Sequence, residues 1–146
     1  MLGTPVYISP EQIEHGAAIV DIRADVYALG ALLYEVLCDA PVVNPAVFAD
    51  KPLAQAVREL AEHVPLRPSQ TKPELRGDLD AITLKALAID PELRYASADA
   101  FAQDVRRYLH HEPILARQPS QLYLMKKFAR RHRVAVITSI AMLAVL

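Results

Sequence analysis

Residues 24–37 read ADVYALGALLYEVL, and this stretch decides the fold. Apolar side chains fill nearly every position, so a helix built from it is apolar around most of its circumference. Such a helix is typical of the middle of a domain, because it needs neighbours on several sides. Pro41 lies shortly after the stretch and predicts its end, since proline lacks the backbone N–H that a helix interior requires. The stretch therefore predicts a buried central helix.

Helical patterns also surround this central segment. The tripeptide SPE at 9–11 has the composition of a helix start, with a capping side chain, a first-position proline and an acidic first turn. Further helices are predicted at 53–62, 78–89 and 97–109, the last capped by Ser97. No segment alternates apolar and polar residues with the period of a strand. The predicted fold class is therefore all-α.

Charge is distributed unevenly along the chain. Residues 1–125 hold 17 acidic and 11 basic side chains, a net charge of −6, whereas residues 126–146 hold five basic and no acidic ones. Tyrosine and phenylalanine are not interleaved with the basic run as an RNA-binding platform requires. We therefore expect no nucleic-acid partner, and the position of the basic run decides its meaning.

The character of the sequence changes after residue 110. Residues 111–133 contain two prolines and end in the basic run, so they are predicted to be a basic juxtamembrane linker. Residues 134–146 carry no charge, and at ~1.5 Å per residue they span roughly 20 Å, short of the ~30 Å hydrocarbon core. We interpret them as the start of a truncated transmembrane helix, with residues 1–133 cytoplasmic by the positive-inside rule. The alternative is a buried C-terminal helix.

Four short motifs follow one another along the chain: GTPVY at 3–7, SPE at 9–11, DVYALG at 25–30 and DPELRY at 90–95. Together they resemble the kinase domain of bacterial transmembrane serine/threonine protein kinases, from the end of the activation segment onward. The resemblance covers most of the chain. It implies that residues 1–110 are the helical C-lobe portion of a protein-kinase-like fold, without the N-lobe and the catalytic loop. The linker at 111–133 and the truncated transmembrane helix at 134–146 would follow.

The resemblance implies a substrate-binding role for the first motif. Thr4 would support catalysis by hydrogen bonding to a catalytic aspartate and a nearby lysine, which favours serine or threonine substrates. Gly3, Pro5 and Tyr7 would shape the pocket that receives the substrate residue after the phosphorylated hydroxyl. The alternative is a Gly-Pro turn with one polar residue.

The other motifs would supply structural anchors. The resemblance implies that Glu11 pairs with Arg94 and so attaches the activation segment to the lower helices. Asp25 would hold the backbone of the catalytic loop, and Gly30 belongs to the same motif. A carboxylate at the start of an apolar helix needs partners, and the alternative for Asp25 is a simple helix cap.

The motifs that phosphoryl transfer requires are not in this sequence. The four glycines never form Gly-x-Gly, and there is no His-Arg-Asp, no Asp-Phe-Gly and no lysine after Val-Ala-x. The HHE triplet at 110–112 lacks the spacing of a zinc-binding helix, so no metal site is expected. We predict that this chain binds no cofactor by itself, although ATP and magnesium are implied for the intact family member.

The sequence therefore predicts the C-terminal fragment of a membrane-anchored serine/threonine kinase that is inactive by itself. It is either a truncated gene product or a piece of a longer sequence. The intact parent would phosphorylate serine or threonine in protein substrates, and the chain would meet the cell membrane through residues 126–146 as a single-pass protein. One alternative is a non-catalytic helical module that associates with the membrane and binds a partner. The other is a pseudokinase-like regulator.

Overall fold

The computed structural model describes residues 7–15, 21–44, 51–52, 55–56, 58–59 and 62–134. These ranges contain helices and connecting loops but no strand, which confirms the all-α prediction for this part of the chain. Of the helix predicted at 53–62, residues 55–56 and 58–59 are helical and most of the others lie outside the described residues. The helices are α1 (Pro10–His15), α2 (Ile22–Cys38), α3 (Pro68–Thr71), α4 (Asp78–Ala86), α5 (Ala98–Leu109) and α6 (Gln121–Arg131), with short 3-10 helices at Pro73–Leu75 and Pro91–Leu93.

Helix α2 is the predicted central helix, one or two residues longer at each end. The Asp21 side chain caps its start by accepting a hydrogen bond from the Arg23 amide at 2.9 Å. Its end is marked by Asp39, whose left-handed backbone (φ 54°) turns the chain toward Pro41. A left-handed residue after the last turn is a common way to stop a helix.

Two clusters of buried side chains lie on either side of α2. Both draw on this helix because its apolar residues project in more than one direction. Cys38 is buried in the second cluster. The first core cluster comprises Val26, Ile82, Ala86, Tyr95, Phe101, Ile114 and Tyr123, and the second comprises Tyr27, Ala31, Tyr34, Cys38, Val42, Val43 and Leu87.

Helices α2 and α4 cross with their backbones close together at Gly30. A Cβ atom at this position would lie 2.7 Å from the Cβ of Ala86 and 3.3 Å from the Cγ of Leu87. Atoms that close repel strongly, so any side chain here would force the helices apart. The glycine therefore sets the spacing at the crossing.

One face of α2 is exposed, although its residues are apolar around most of the helix. Its apolar side chains recur every three or four residues and lie on one stripe along the helix. Leu32 is 51% exposed and Val36 69% exposed. We call this surface the α2 stripe; its members are Ile22, Asp25, Leu29, Leu32 and Val36.

The chain after α5 returns to the domain and does not continue as a simple linker. Asp104 is fully buried and its carboxylate accepts hydrogen bonds from the Tyr95 hydroxyl (2.9 Å) and from the amides of Leu115 (2.6 Å) and Ala116 (2.8 Å). Burial of the Tyr95 hydroxyl, together with this bond, raises its pKa above the ordinary range. A buried carboxylate with three donors holds the returning segment firmly.

The basic segment that was predicted to be a linker contains α6. Tyr123 and Lys127 lie one helical turn apart and are both buried against the domain. Packing of this face explains the helix, because a short helix is stable mainly through its tertiary contacts. The segment at 111–133, predicted as a linker, therefore contains a helix that packs on the rest of the described domain.

The membrane-spanning prediction concerns residues that are almost all undescribed. Residues 135–146 lie outside the described part of the chain. Among the described helices, none combines the length and apolar character that crossing a bilayer demands.

Candidate functional site

Arg94 is the centre of the best-defined polar site in the described residues. Its side chain is fully buried, and each of its five N–H donors meets a protein oxygen. Two donors bind the Glu11 carboxylate, from Nη1 to Oε1 at 2.7 Å and from Nη2 to Oε2 at 2.6 Å. The other three bind the backbone carbonyls of Ala88 (2.7 Å), Ile89 (3.0 Å) and Arg23 (3.1 Å). Such a bidentate pair fixes orientation as well as distance.

Glu11 reaches this pair from the first turn of α1. The helix begins at Pro10, which sets its backbone for helix entry, so the next side chain projects from a defined position. Burial raises the pKa of Glu11, but hydrogen bonds from Arg94, from the backbone amide of Glu11 and from Ser9 outweigh it, and the pKa lies below its ordinary value. Glu11 is therefore a carboxylate at neutral pH.

The pair joins three parts of the chain that are distant in sequence. It links α1, the start of α2 through the Arg23 carbonyl, and the loop after α4. The Arg94 guanidinium also lies over the Tyr27 ring, 5.0 Å from its centroid, where the ring face attracts a cation. We call Glu11, Arg94 and these contacts the clamp. The pair between Glu11 and Arg94, implied by the family resemblance, is present. The three carbonyl acceptors could not be predicted, because every residue carries a backbone carbonyl.

Most of the predicted substrate pocket lies outside the described residues. Gly3, Thr4 and Pro5 belong to that part of the chain. Tyr7 is described; it is partly exposed and its hydroxyl donates a hydrogen bond to Glu35 on α2. This hydrogen bond raises the pKa of Tyr7. Tyr7 thus attaches the loop before α1 to α2, and the clamp attaches α1 to the loop after α4.

Asp25 is exposed in the first turn of α2, on the α2 stripe. It does not cap the helix, because Asp21 occupies the N-cap position, which removes the alternative that the sequence left open for this residue. In the described part of the chain its carboxylate has no hydrogen-bond or ion-pair partner. The structure therefore places Asp25 away from the clamp, among exposed apolar side chains.

The chemistry that the clamp supports is positioning. Its cationic donors are all occupied by protein oxygens, so it holds segments together and presents no donor to a ligand. Within the described ranges, no three His, Cys, Asp or Glu side chains lie close enough to hold a metal ion. The clamp and Tyr7 hold the stretch from Tyr7 to Glu11, which begins with the last residue of the predicted substrate pocket.

Comparison with known proteins gives related sequences over most of the chain. No protein-family model matches it. The chain is 41% identical over 114 residues to a "Probable serine/threonine-protein kinase" of Streptomyces coelicolor, which covers 78% of this chain and 16% of that protein. It is 42% identical over 113 residues to the serine/threonine-protein kinase PknB of Mycobacterium tuberculosis, covering 77% of this chain and 17% of the relative.

A third relative is a "Probable serine/threonine-protein kinase PknB" from Bifidobacterium longum. It is 36% identical over 110 residues, covering 75% of this chain and 15% of the relative. The chain thus spans about one sixth of the length of the curated relatives that it matches.

Proposed function

This chain is homologous over three quarters of its length to bacterial serine/threonine-protein kinases, and from that premise we propose that it is the C-terminal part of such a kinase domain. In this role it supplies the protein-substrate side of the C-lobe and an attachment to the membrane, while phosphoryl transfer needs the part of the kinase that this chain lacks.

The clamp is the observation that carries the proposal. It holds α1 by a bidentate pair between two residues 83 positions apart, and both residues belong to motifs of the resemblance. Because α1 is held in place, the end of the preceding loop is held as well. Tyr7 in that loop also donates a hydrogen bond to Glu35 on α2. We propose that Gly3, Thr4, Pro5 and Tyr7 form the wall against which a substrate segment lies.

The α2 stripe supports the view that part of the domain is missing. An exposed run of apolar side chains with one carboxylate is unusual on the surface of a complete domain. We propose that the catalytic loop of the intact kinase covers this stripe and that its backbone amides bind Asp25. That contact would satisfy the carboxylate and remove the apolar side chains from water.

ATP and Mg²⁺ are implied for the intact family, and the described residues of this chain do not fit them. Each Arg94 donor is occupied, and the described ranges offer no cluster of metal-binding side chains. Phosphate and metal binding require a different set of groups, including a glycine-rich cover and paired metal-binding carboxylate and amide side chains. We therefore assign nucleotide binding to the part of the kinase that precedes the matched region.

The membrane part of the proposal is supported by sequence and charge. Five basic residues lie within 126–133 and an uncharged run follows at 134–146. Basic residues beside an apolar segment favour the cytoplasmic side. We propose that residues 1–133 are cytoplasmic and that the chain is attached to the cell membrane through 126–146.

The test is a phosphoryl-transfer assay on the chain and on a chimera. In the chimera, the part of the M. tuberculosis relative that precedes the matched region is fused to Gly3 of this chain. With radiolabelled ATP, Mg²⁺ and a generic basic protein, we expect incorporation by the chimera and none by the chain. A Thr4→Ala chimera should lose about 10- to 100-fold in rate, the size expected when a reacting group is misplaced.

Two results would contradict the proposal. Incorporation by the isolated chain above its own Thr4→Ala variant would show that it carries catalytic groups of its own. A chimera that is folded by circular dichroism and binds ATP but transfers no phosphate would show that this chain does not supply the substrate side; it would favour the non-catalytic membrane-associated module.

A further inference from the structure

Helix α6 is fixed to the domain by one face. Lys127 is nearly buried and its Nζ lies 2.5 Å from Oδ2 of Asp78, the first residue of α4. The Tyr123 hydroxyl accepts a hydrogen bond from the Ile114 amide at 3.0 Å and donates to Asp78 at 3.3 Å. Two residues a helical turn apart, both bound to Asp78, set the rotation of α6 about its own axis.

The opposite face of α6 exposes three large apolar side chains. Leu122 is 81% exposed, Met125 66% and Phe128 62%. At about 100° per residue these positions fall within an arc of roughly 120°, centred about 180° from the buried Tyr123 and Lys127. The stripe is therefore largely exposed, although Met125 and Phe128 also line an open groove with His111 and Pro113. The contacts at Asp78 prevent the helix from rotating to bury it. We call these three residues the α6 stripe.

Basic side chains flank the α6 stripe on both sides. Lys126, Arg130 and Arg133 are exposed and follow one edge, and Arg131 is exposed on the other. No acidic residue follows Glu112 in the sequence, so nothing on α6 offsets these charges locally. Glu112 lies 3.6 Å from Arg131 and offsets its charge. No acidic residue of α6 offsets the charges of Lys126, Arg130 and Arg133 on the other edge.

An apolar stripe with a row of cations along one edge matches one kind of surface. Amphipathic helices that lie in the bilayer interface place apolar side chains below the headgroups and Lys or Arg beside anionic lipid phosphates. The α2 stripe, by contrast, is apolar without a basic residue and carries Asp25. Charge therefore distinguishes the two exposed stripes and assigns a lipid partner to α6 alone.

We propose that α6 lies in the interface of an anionic bilayer, with Leu122, Met125 and Phe128 inserted below the headgroups. The contacts of Lys127 and Tyr123 with Asp78 then hold the domain in one orientation on that surface. This inference rests on the proposed attachment through 126–146 and deepens it, by naming α6 as the part that contacts the lipid and anionic lipid as its partner. It is independent of the kinase assignment.

The experiment uses tryptophan as a depth probe, because the chain contains none. Full-length Phe128→Trp is mixed with phosphatidylcholine vesicles holding about 30% phosphatidylserine, an anionic surface of the kind that attracts basic segments. We expect a blue shift of the emission and quenching by lipids brominated along the acyl chain. The matched control is Leu32→Trp on the α2 stripe, which should show neither change.

A second variant tests the role of charge. Lys126, Arg130 and Arg133 replaced together by Gln should weaken vesicle binding of Phe128→Trp at least tenfold, and salt should weaken the parent more than this variant. Vesicles of phosphatidylcholine alone should quench Phe128→Trp much less than the anionic ones.

Three outcomes would overturn the inference. Co-sedimentation with vesicles without quenching of Phe128→Trp would place the membrane contact in another segment. Equal quenching of Phe128→Trp and Leu32→Trp would show non-specific adsorption. An emission shift that depends on protein concentration and needs no lipid would assign the stripe to a second copy of the chain. None of these readouts involves phosphate transfer, so the kinase proposal stands or falls separately.

Discussion

At the scale of single residues, the clamp depends on Arg94 having every donor bonded. A buried guanidinium is tolerated only when its charge is paired and its N–H groups are satisfied, because desolvation of a cation is costly. Glu11 supplies the charge and three carbonyls supply the remaining acceptors. The site is therefore sensitive to the shape of the side chain as well as to its charge, since lysine has three donors in a different arrangement.

Removal of Arg94 should destabilise the fold. We expect Arg94→Ala to lower the free energy of unfolding by about 3 kcal/mol, toward the low end for a broken buried pair because Glu11 keeps some contact with water. Arg94→Lys should recover only part of this loss. Arg23→Ala is the matched control, since it removes an arginine whose ion-pair partner, Glu92, is largely exposed.

The measurement is the midpoint of urea unfolding, followed by circular dichroism. Equal effects of Arg94→Ala and Arg23→Ala would show that the clamp contributes no more than a surface ion pair.

The lowered pKa of Glu11 gives the clamp a definite pH dependence. A carboxyl whose folded-state pKa is depressed stabilises the protein above its unfolded pKa of about 4.3, and that contribution is lost as pH falls through the lower folded-state value. We therefore expect the gap in unfolding midpoint between the parent chain and Glu11→Gln to be full at pH 7 and to shrink below about pH 4. A gap that grows on acidification would contradict the assigned direction.

At the scale of elements, the crossing of α2 and α4 depends on the missing side chain of Gly30. Glycine inside a helix costs about 1 kcal/mol relative to alanine, so its presence at this position needs a packing reason. The reason is that a Cβ at residue 30 would lie only 2.7 Å from the Cβ of Ala86. The crossing spaces the helices so that the first and second core clusters can both pack on α2.

Substitution at both positions of the crossing tests this explanation. Gly30→Ala should destabilise the chain by about 1–3 kcal/mol, the usual cost of overpacking, in spite of its better helix propensity. In an Ala86→Gly background the same change should be much less harmful, because the opposing methyl group is gone. A double-mutant cycle of urea midpoints measures the coupling, and additive effects would show that the contact does not limit the spacing.

At the scale of the whole molecule, two apolar stripes remain exposed and they differ in kind. The α6 stripe is flanked by cations, whereas the α2 stripe holds Asp25. We therefore expect the chain to fold and, through these two stripes, to bind apolar molecules from solution. Large apolar side chains are also exposed singly elsewhere, as at Val64, Leu93 and Leu115, but on these two helices they form stripes.

We expect the isolated chain to bind the neutral apolar dye Nile red, because the α2 stripe is accessible to it. Serine at Leu29, Leu32 and Val36 should reduce the dye fluorescence with only a small drop in the urea midpoint, since Leu32 and Val36 are more than half exposed and Leu29 is 37% exposed. Gln118→Ser with Gln121→Ser, at exposed polar positions, is the control and should leave the fluorescence unchanged. Unchanged fluorescence in the triple variant would show that the dye binds elsewhere.

The sequence alone predicted those helices whose periodicity and capping residues mark them locally. The apolar run at 24–37, the Ser97 cap and the Pro10 start predicted elements close to those observed, because periodicity and capping act within a few residues. The resemblance of four motifs paired Glu11 with Arg94. For Gly3, Thr4 and Pro5, the role remains a prediction from the sequence.

The tertiary structure decided what depends on distant neighbours. It showed which face of α2 stays exposed, gave Asp21 rather than Asp25 the cap, and folded the basic segment back as α6 through Asp78 and Asp104. None of these could be read locally, because a carboxylate or an apolar side chain has the same local pattern whether or not a partner meets it. Burial is a property of the assembled helices, whereas helix formation is signalled within each segment.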